Sequence, residues 1–263
     1  MAVTEIKWGE FCMALEKQLK PSEIQNKNYN QIISLYALIS RIVDISNIDI
    51  ESNIAEILDN YCNDFRRFYH NFNHVNQMID YLNRHIEANQ IPLNLEDSIA
   101  LYTAVLYHDI VYEYSDNIDN ELESAKLFLK HFKLDEKINN IDSNWVDKDF
   151  FDKVVCLILV TKNSPWTIDY HRFDPRFLIV QADWSQFLDI QTMCISDSLI
   201  QSEYIEGFGI KKCFYNKKRK NFLKNLIKNK ERYPDDIRLR NIEFLLTLPL
   251  SLKKKNFKII DEK

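Results

Sequence analysis

With 263 residues, 46% of them hydrophobic and 13% aromatic, the chain has enough length and apolar surface to bury a full core, which excludes extended disorder. Only 3 Gly and 6 Pro leave little material for hairpins, left-handed turns or a glycine-rich phosphate loop, so an all-α fold is expected, as one domain over residues 1–263. The net charge of −5 argues against general attraction to nucleic acid or anionic lipid, and five scattered cysteines without a C-x-x-C pair argue against a disulfide framework or a thiolate zinc site.

In chain order, apolar residues recur at helical spacing in WGEFCMALEKQL (8–19), YNQIISLYALISRIVDI (29–45) and NIAEILDNYCNDF (53–65), which predicts three helices ahead of the first histidines. HVNQMIDYLNRHI (74–86) places Val75, Met78, Ile79, Leu82 and Ile86 on one stripe, so a helix is expected to start beside His74. LEDSIALYTAVLYHDIVY (95–112) opens with acids that suit the helix dipole and runs an apolar face up to His108, which puts His108 and Asp109 at the far end of a buried helix. After a loop at 114–120, NELESAKLFLKHF (120–132) predicts a helix with Asn120 as N-cap and Glu123 in the capping-box position. FDKVVCLILVT (151–161), PRFLIVQADWSQFL (175–188) and DSLIQSEYIEGF (197–208) are further helical candidates. Periodicity does not separate a buried strand from a buried helix over 154–160.

That run, VVCLILV, is too short to span a bilayer, and the N-terminus lacks a basic segment followed by an apolar one. A cytoplasmic protein without a membrane partner is the expectation. Residues 211–232 hold ten Lys or Arg against one acid. Because Phe214, Phe222, Leu223, Leu226 and Ile227 recur at helical spacing, the stretch reads as an amphipathic helix with a solvated cationic face, and nucleic acid is not expected as a partner.

The candidate chemistry lies in the histidines. An adjacent His and Asp leave a helix about 100° apart and can both lean toward an ion lodged where another helix crosses. A second His and a second Asp would complete an N₂O₂ set. Such a set suits Mn²⁺, Fe²⁺, Co²⁺, Ni²⁺, Zn²⁺ or Mg²⁺ and leaves positions open for water and substrate. An HD dipeptide by itself carries little, since a satisfied half-buried histidine followed by an acid at a helix end reads the same way. An acid at a helix C-terminus is nevertheless disfavoured by the dipole, and Asp109 followed by Glu113 calls for compensating positive charge.

Taken in order, RFYHNFNH (67–74), YHDIVYE (107–113), DNELESA (119–125) and ADWSQFL (182–188) resemble a bacterial branch of the HD superfamily of metal-dependent phosphohydrolases. Members of that branch read R-x-Y-H-N-x-x-H, H-D-x-V-Y-D, N-E-x-S-A and a D-x-D-L-like segment. The resemblance spans about residues 56–245. It implies an HD-domain-like helical core with additional N- and C-terminal helices, and one divalent metal ion held by His74, His108, Asp109 and Asp183. The implied activity is hydrolysis of a phosphate ester or nucleotide by attack of a water activated at that ion. By the same resemblance, Glu113 or Glu121 takes the water proton or binds a second, weaker ion, while His70 and Arg67 neutralise the phosphate or assist the leaving group. It also matches Asn120 with Glu121, matches Glu203 with Tyr204, places an inward-turned arginine near Arg219, and makes RLRNIEFLL (238–246) a closing helix.

The chain departs from the pattern at Asn163 or Ser164, where a histidine often stands, at Gln181, which replaces the first acid of D-x-D, and at Trp184 in place of leucine. The same residues also allow a metal-containing nucleotide-binding or regulatory module without turnover, or a scaffold that keeps the site only as structure. Outside the motifs, Tyr69, Tyr107 and Tyr112 read as core aromatics with polar tips, and His85, His131 and His171 as surface or capping residues.

Overall fold

A computed structural model describes residues 21–115, 117–141, 147–233 and 236–247, with side chains from residue 27 onward. The helix expected over 8–19 lies outside the described residues. Every regular element among the described residues is helical, and the fold class is all-α. In order these are α1 (Pro21–Ile39), α2 (Ile50–Leu58), α3 (Phe72–Asn89), α4 (Leu95–Tyr107), α5 (Asn120–His131), the single turn α6 (Asp135–Ile138), α7 (Phe150–Val160), α8 (Pro175–Asp183), α9 (Ile190–Ser202), α10 (Lys212–Ile227) and α11 (Ile237–Thr247). Wide π turns continue α2 over Asp59–Asn63 and α9 over Glu203–Gly207. No helix among the described residues is long and apolar enough to cross a membrane.

The centre of the molecule is α4, in which every residue from Ile99 to Tyr107 is buried. A helix apolar all round has no face to give to water, so neighbours must cover it. Accordingly α7 lies along it, α1, α3 and α8 pack on its other sides, and α5 packs on α7. The run at 154–160 is helical. Asp149 caps α7 by accepting from the Asp152 amide, and Val154, Val155, Leu157 and Ile158 are all buried. Each such fully buried aliphatic side chain contributes roughly 1.5–3 kcal/mol.

Three local expectations are corrected. The N-cap of α5 is Asp119, whose carboxylate accepts from the Leu122 amide, and Asn120 is the first helical residue. The Asn120 side chain instead accepts from the Glu113 amide at 3.0 Å and donates to the Glu113 carbonyl at 3.1 Å, closing the loop that follows Asp109. This one-residue shift moves Glu123 out of the capping-box position, and it pairs with Lys126 at 2.8 Å. His131 is neither a surface nor a capping residue. It is buried, taking a hydrogen bond on Nδ1 from the Tyr107 hydroxyl (2.8 Å) and giving one from Nε2 to Glu56 (3.1 Å). On α10 the inward residues are Tyr215, Leu223 and Leu226, with Arg219 paired to Asp197, whereas Phe214 and Phe222 are 61% and 41% exposed.

Candidate metal centre

Three helix ends converge. Asn71 caps α3 by accepting from the Asn73 amide, so His74 falls in the buried first turn. Where α4 finishes, the His108 amide still bonds to the Ala104 carbonyl, and Asp109 follows as the chain leaves the helix. The last residue of α8 is Asp183. Because α3, α4 and α8 pack pairwise against one another, these ends meet although Asp183 lies 109 residues after His74.

The His74 Nε2 is 3.2 Å from Asp183 Oδ1 and 3.9 Å from Asp109 Oδ2. Likewise His108 Nε2 is 3.0 Å from Asp109 Oδ2 and 3.9 Å from Asp183 Oδ1. His74, His108 and Asp109 are buried, while the Asp183 side chain is 23% exposed and marks the side open to solvent.

The hydrogen bonding of His108 is incomplete. Its Nδ1 can only donate to the Val105 carbonyl, 2.9 Å away, so in the neutral ring the lone pair lies on Nε2. That Nε2 is buried and makes no hydrogen bond, since the nearby Asp109 oxygen lies off the line a bond requires. A buried polar atom left unpaired costs about 1–3 kcal/mol. A histidine whose far nitrogen is held by a carbonyl and whose near nitrogen is unspent is prepared to ligate a metal. Two neutral imidazoles and two carboxylates also sum to the charge that a divalent cation cancels, so the donor set fits such an ion.

Electrostatics without the ion point the same way. Burial opposes a charged His108, but the Asp109 and Asp183 carboxylates outweigh it and raise its pKa to about 9. Burial would raise Asp109 in turn, and the His108 charge overrides it, holding the carboxyl far below the usual range. His74 is lowered by burial. A proton on His108 thus takes the electrostatic place of a cation.

His70 stands beside this cluster, its ring centroid 5.8 Å from that of His74. It stacks on Tyr112 at 4.0 Å, and its Nδ1 lies 2.5 Å from Glu203 Oε1. The other Glu203 oxygen accepts from the Tyr69 and His70 amides at 3.0 and 2.9 Å. Burial opposes charge on both side chains, yet their attraction raises His70 and, with the two amides, lowers Glu203, so the pair is ionised. Motif matching picked out Glu203, but no signal in the sequence tied it to a histidine 133 positions earlier.

The remaining candidates separate. Arg67 is buried and spends its guanidinium on the Asp109 and Ile110 carbonyls (2.7 and 2.9 Å) and on Asp64 (3.4 Å), so it clamps the end of α4 and is not presented to a phosphate. Glu113 is gripped by Arg66 through two 3.1 Å bonds on the half-exposed side of the loop. These two arginines supply part of the positive charge that the helix end called for. Glu121 is half-buried, and burial raises its carboxyl pKa, with the charge of Asp109 adding to the rise. At the departures from the motif, Gln181 accepts from Arg238 on α11, while Asn163 and Ser164 bond within their own turn. Compared with known proteins, the chain matches no family model and no curated protein sequence.

Proposed function

We propose that this protein is a metal-dependent phosphohydrolase that holds one divalent ion with His74, His108, Asp109 and Asp183 and cleaves a small phosphate ester or nucleotide. The observation that carries this reading is the buried, unbonded His108 Nε2, with the His74 ring and two carboxylates turned toward the same point. When bound, such an ion lowers the pKa of a water and draws charge from a phosphoryl oxygen.

The chain's own residues do the rest. Arg67 fixes the carbonyls of Asp109 and Ile110 and so holds the HD pair in register. Glu121, with its raised carboxyl pKa, accepts a proton from the attacking water more readily than an ordinary surface glutamate, and Glu113 is engaged by Arg66. His70, kept charged by Glu203 and restrained in plane by Tyr112, offers an Nε2 proton to the leaving-group oxygen.

The test pairs elemental analysis of purified protein with phosphate release from a nucleotide panel and para-nitrophenyl phosphate, with Mn²⁺, Mg²⁺, Co²⁺ or Ni²⁺ added. The expected result is bound metal and metal-dependent release. Metal with nucleotide binding but no release would replace the hydrolase reading with a regulatory module, and protein that takes up no metal would reduce the site to a scaffold.

A further inference from the structure

The wall behind His70 and His74 contains two phenol hydroxyls with no hydrogen-bond partner, those of Tyr69 and Tyr215, in side chains only 4% and 5% exposed. Both rings belong to one small buried cluster with Ile200, and the Tyr69 ring centroid is 4.8 Å from those of both His70 and His74. Spacing explains how the groups meet. Ser196, Ile200 and Glu203 follow one face of α9 into its π turn, and Tyr215 and Arg219 sit four apart on the facing side of α10. Arg219 donates from Nε to Asp197 at 2.9 Å, and among the described residues no other nitrogen of its guanidinium is hydrogen-bonded. Its side chain is 15% exposed, so solvent reaches it more readily than the two phenols.

Packing does not account for these hydroxyls. A core position needs only the ring, and phenylalanine would supply it without a stranded polar atom. Electrostatically, Arg219 acts on both phenols and Asp183 on Tyr69, and Ser196 is the polar side chain beside Tyr69.

We propose that Arg219, Tyr69 and Tyr215 form an oxyanion subsite beside the metal centre that receives a phosphoryl group. The groups offered are a guanidinium edge, which can only donate and carries positive charge, and two phenol O–H groups able to donate beside it, a set that complements a tetrahedral oxyanion better than a cation. The identification of that anion as phosphoryl rests on the hydrolase reading, whereas the donor cluster itself does not. Asp183, Glu203 and Asp197 oppose an anion here, so binding should strengthen when a divalent cation is present.

The probe is inorganic phosphate, titrated calorimetrically into wild type, Tyr69→Phe, Tyr215→Phe and Arg219→Gln, as purified and with Mn²⁺ added, with metal content measured for each. Both Tyr→Phe variants should keep wild-type metal content and melt no lower than wild type, since each loses an unpaired hydroxyl. Each should bind phosphate about tenfold more weakly. Arg219→Gln should bind it more weakly still, and if that variant does not fold, the two Tyr variants decide. Unchanged phosphate affinity in both Tyr variants, or no phosphate binding by wild type under either condition, overturns the subsite. Weakened binding without turnover of any ester would leave the subsite standing and remove the hydrolase reading. Turnover with unaffected Tyr variants would do the reverse.

Discussion

Two buried histidines beside carboxylates meet the same problem in different ways. At His131 every hydrogen-bonding position is used: Tyr36 reaches Tyr107 at 2.7 Å, Tyr107 reaches Nδ1, and Nε2 reaches Glu56. The chain of bonds is closed, and the residue is core structure. At His108 one nitrogen is satisfied by Val105 and the other is left unspent among His74, Asp109 and Asp183. Burial next to an acid therefore does not distinguish a ligand from a core histidine. An unbonded ring nitrogen within reach of further potential ligand atoms does.

The largest expected contrast comes from truncating each. His108→Ala should abolish bound metal and phosphate release. His131→Ala should keep the metal while losing about 2–4 kcal/mol of stability, because it leaves a cavity, removes one of the two hydrogen-bond partners of the Tyr107 hydroxyl and leaves Glu56 without its bond. Elemental analysis with urea unfolding reads both, and metal lost from the His131 variant but retained by the His108 variant would invert the comparison.

The next contrast lies between His74 and His70. His74→Ala should lose metal, activity and the stabilisation that ligand binding brings. His70→Ala should retain metal but lose rate by about 10²-fold or more, as expected for a group that donates a proton late in the reaction. Metal measured in the two purified variants separates them.

In pH dependence the two regions should move in opposite senses. His131 is lowered by burial, with Glu56 opposing. Its contribution is thus present above the unfolded value of about 6.5 and lost as pH falls through the folded one. His108 is raised to about 9, so without metal the stability from its pairing with Asp109 is complete below about 6.5 and lost as pH rises through about 9. Metal must displace that proton. Apparent metal affinity should therefore climb about tenfold per pH unit and level off near pH 9. Titrating Mn²⁺ at several pH values checks this, and a flat profile between pH 6 and 9 would refute it.

A smaller effect is expected at Gly207. A Cβ there would come within 2.3 Å of the Arg66 carbonyl oxygen, so Gly207→Ala must push the 64–67 loop aside and should cost about 1–3 kcal/mol. The smallest is Asp119→Ala, which removes the cap of α5 and should cost about 1 kcal/mol. Thermal melts of both variants are sufficient, and an unchanged melting temperature for Gly207→Ala would mean the loop yields freely.

Much of the fold was legible because it depends on neighbours in sequence. The α3 stripe, the buried length of α4 and the basic α10 follow from periodicity, which is a local property. Asp119 was misread as a loop residue ahead of an Asn120 cap because both residue types make good caps, and only the backbone bend decides between them. The α10 face was misassigned at Phe214 because apolar character alone does not say which way a helix is rotated against its neighbours. His131 was misread since its partners, Tyr107 and Glu56, are 24 and 75 positions away.

By itself, the sequence determined the helical class, the helix that carries His108 and Asp109 to its end, and the residue types able to bind a cation, all of which depend on composition and short spacing. Only the tertiary structure decided which of those residues share a point in space, that Arg67 and Glu113 are spent on other partners, and that the His108 Nε2 has no hydrogen-bond partner while both ring nitrogens of His131 have one. The physical reason is that satisfaction of a buried polar atom is a property of all the groups around it. Those groups are brought together by helix packing across 100 residues or more, as in His74 with Asp183 at 109 and His70 with Glu203 at 133.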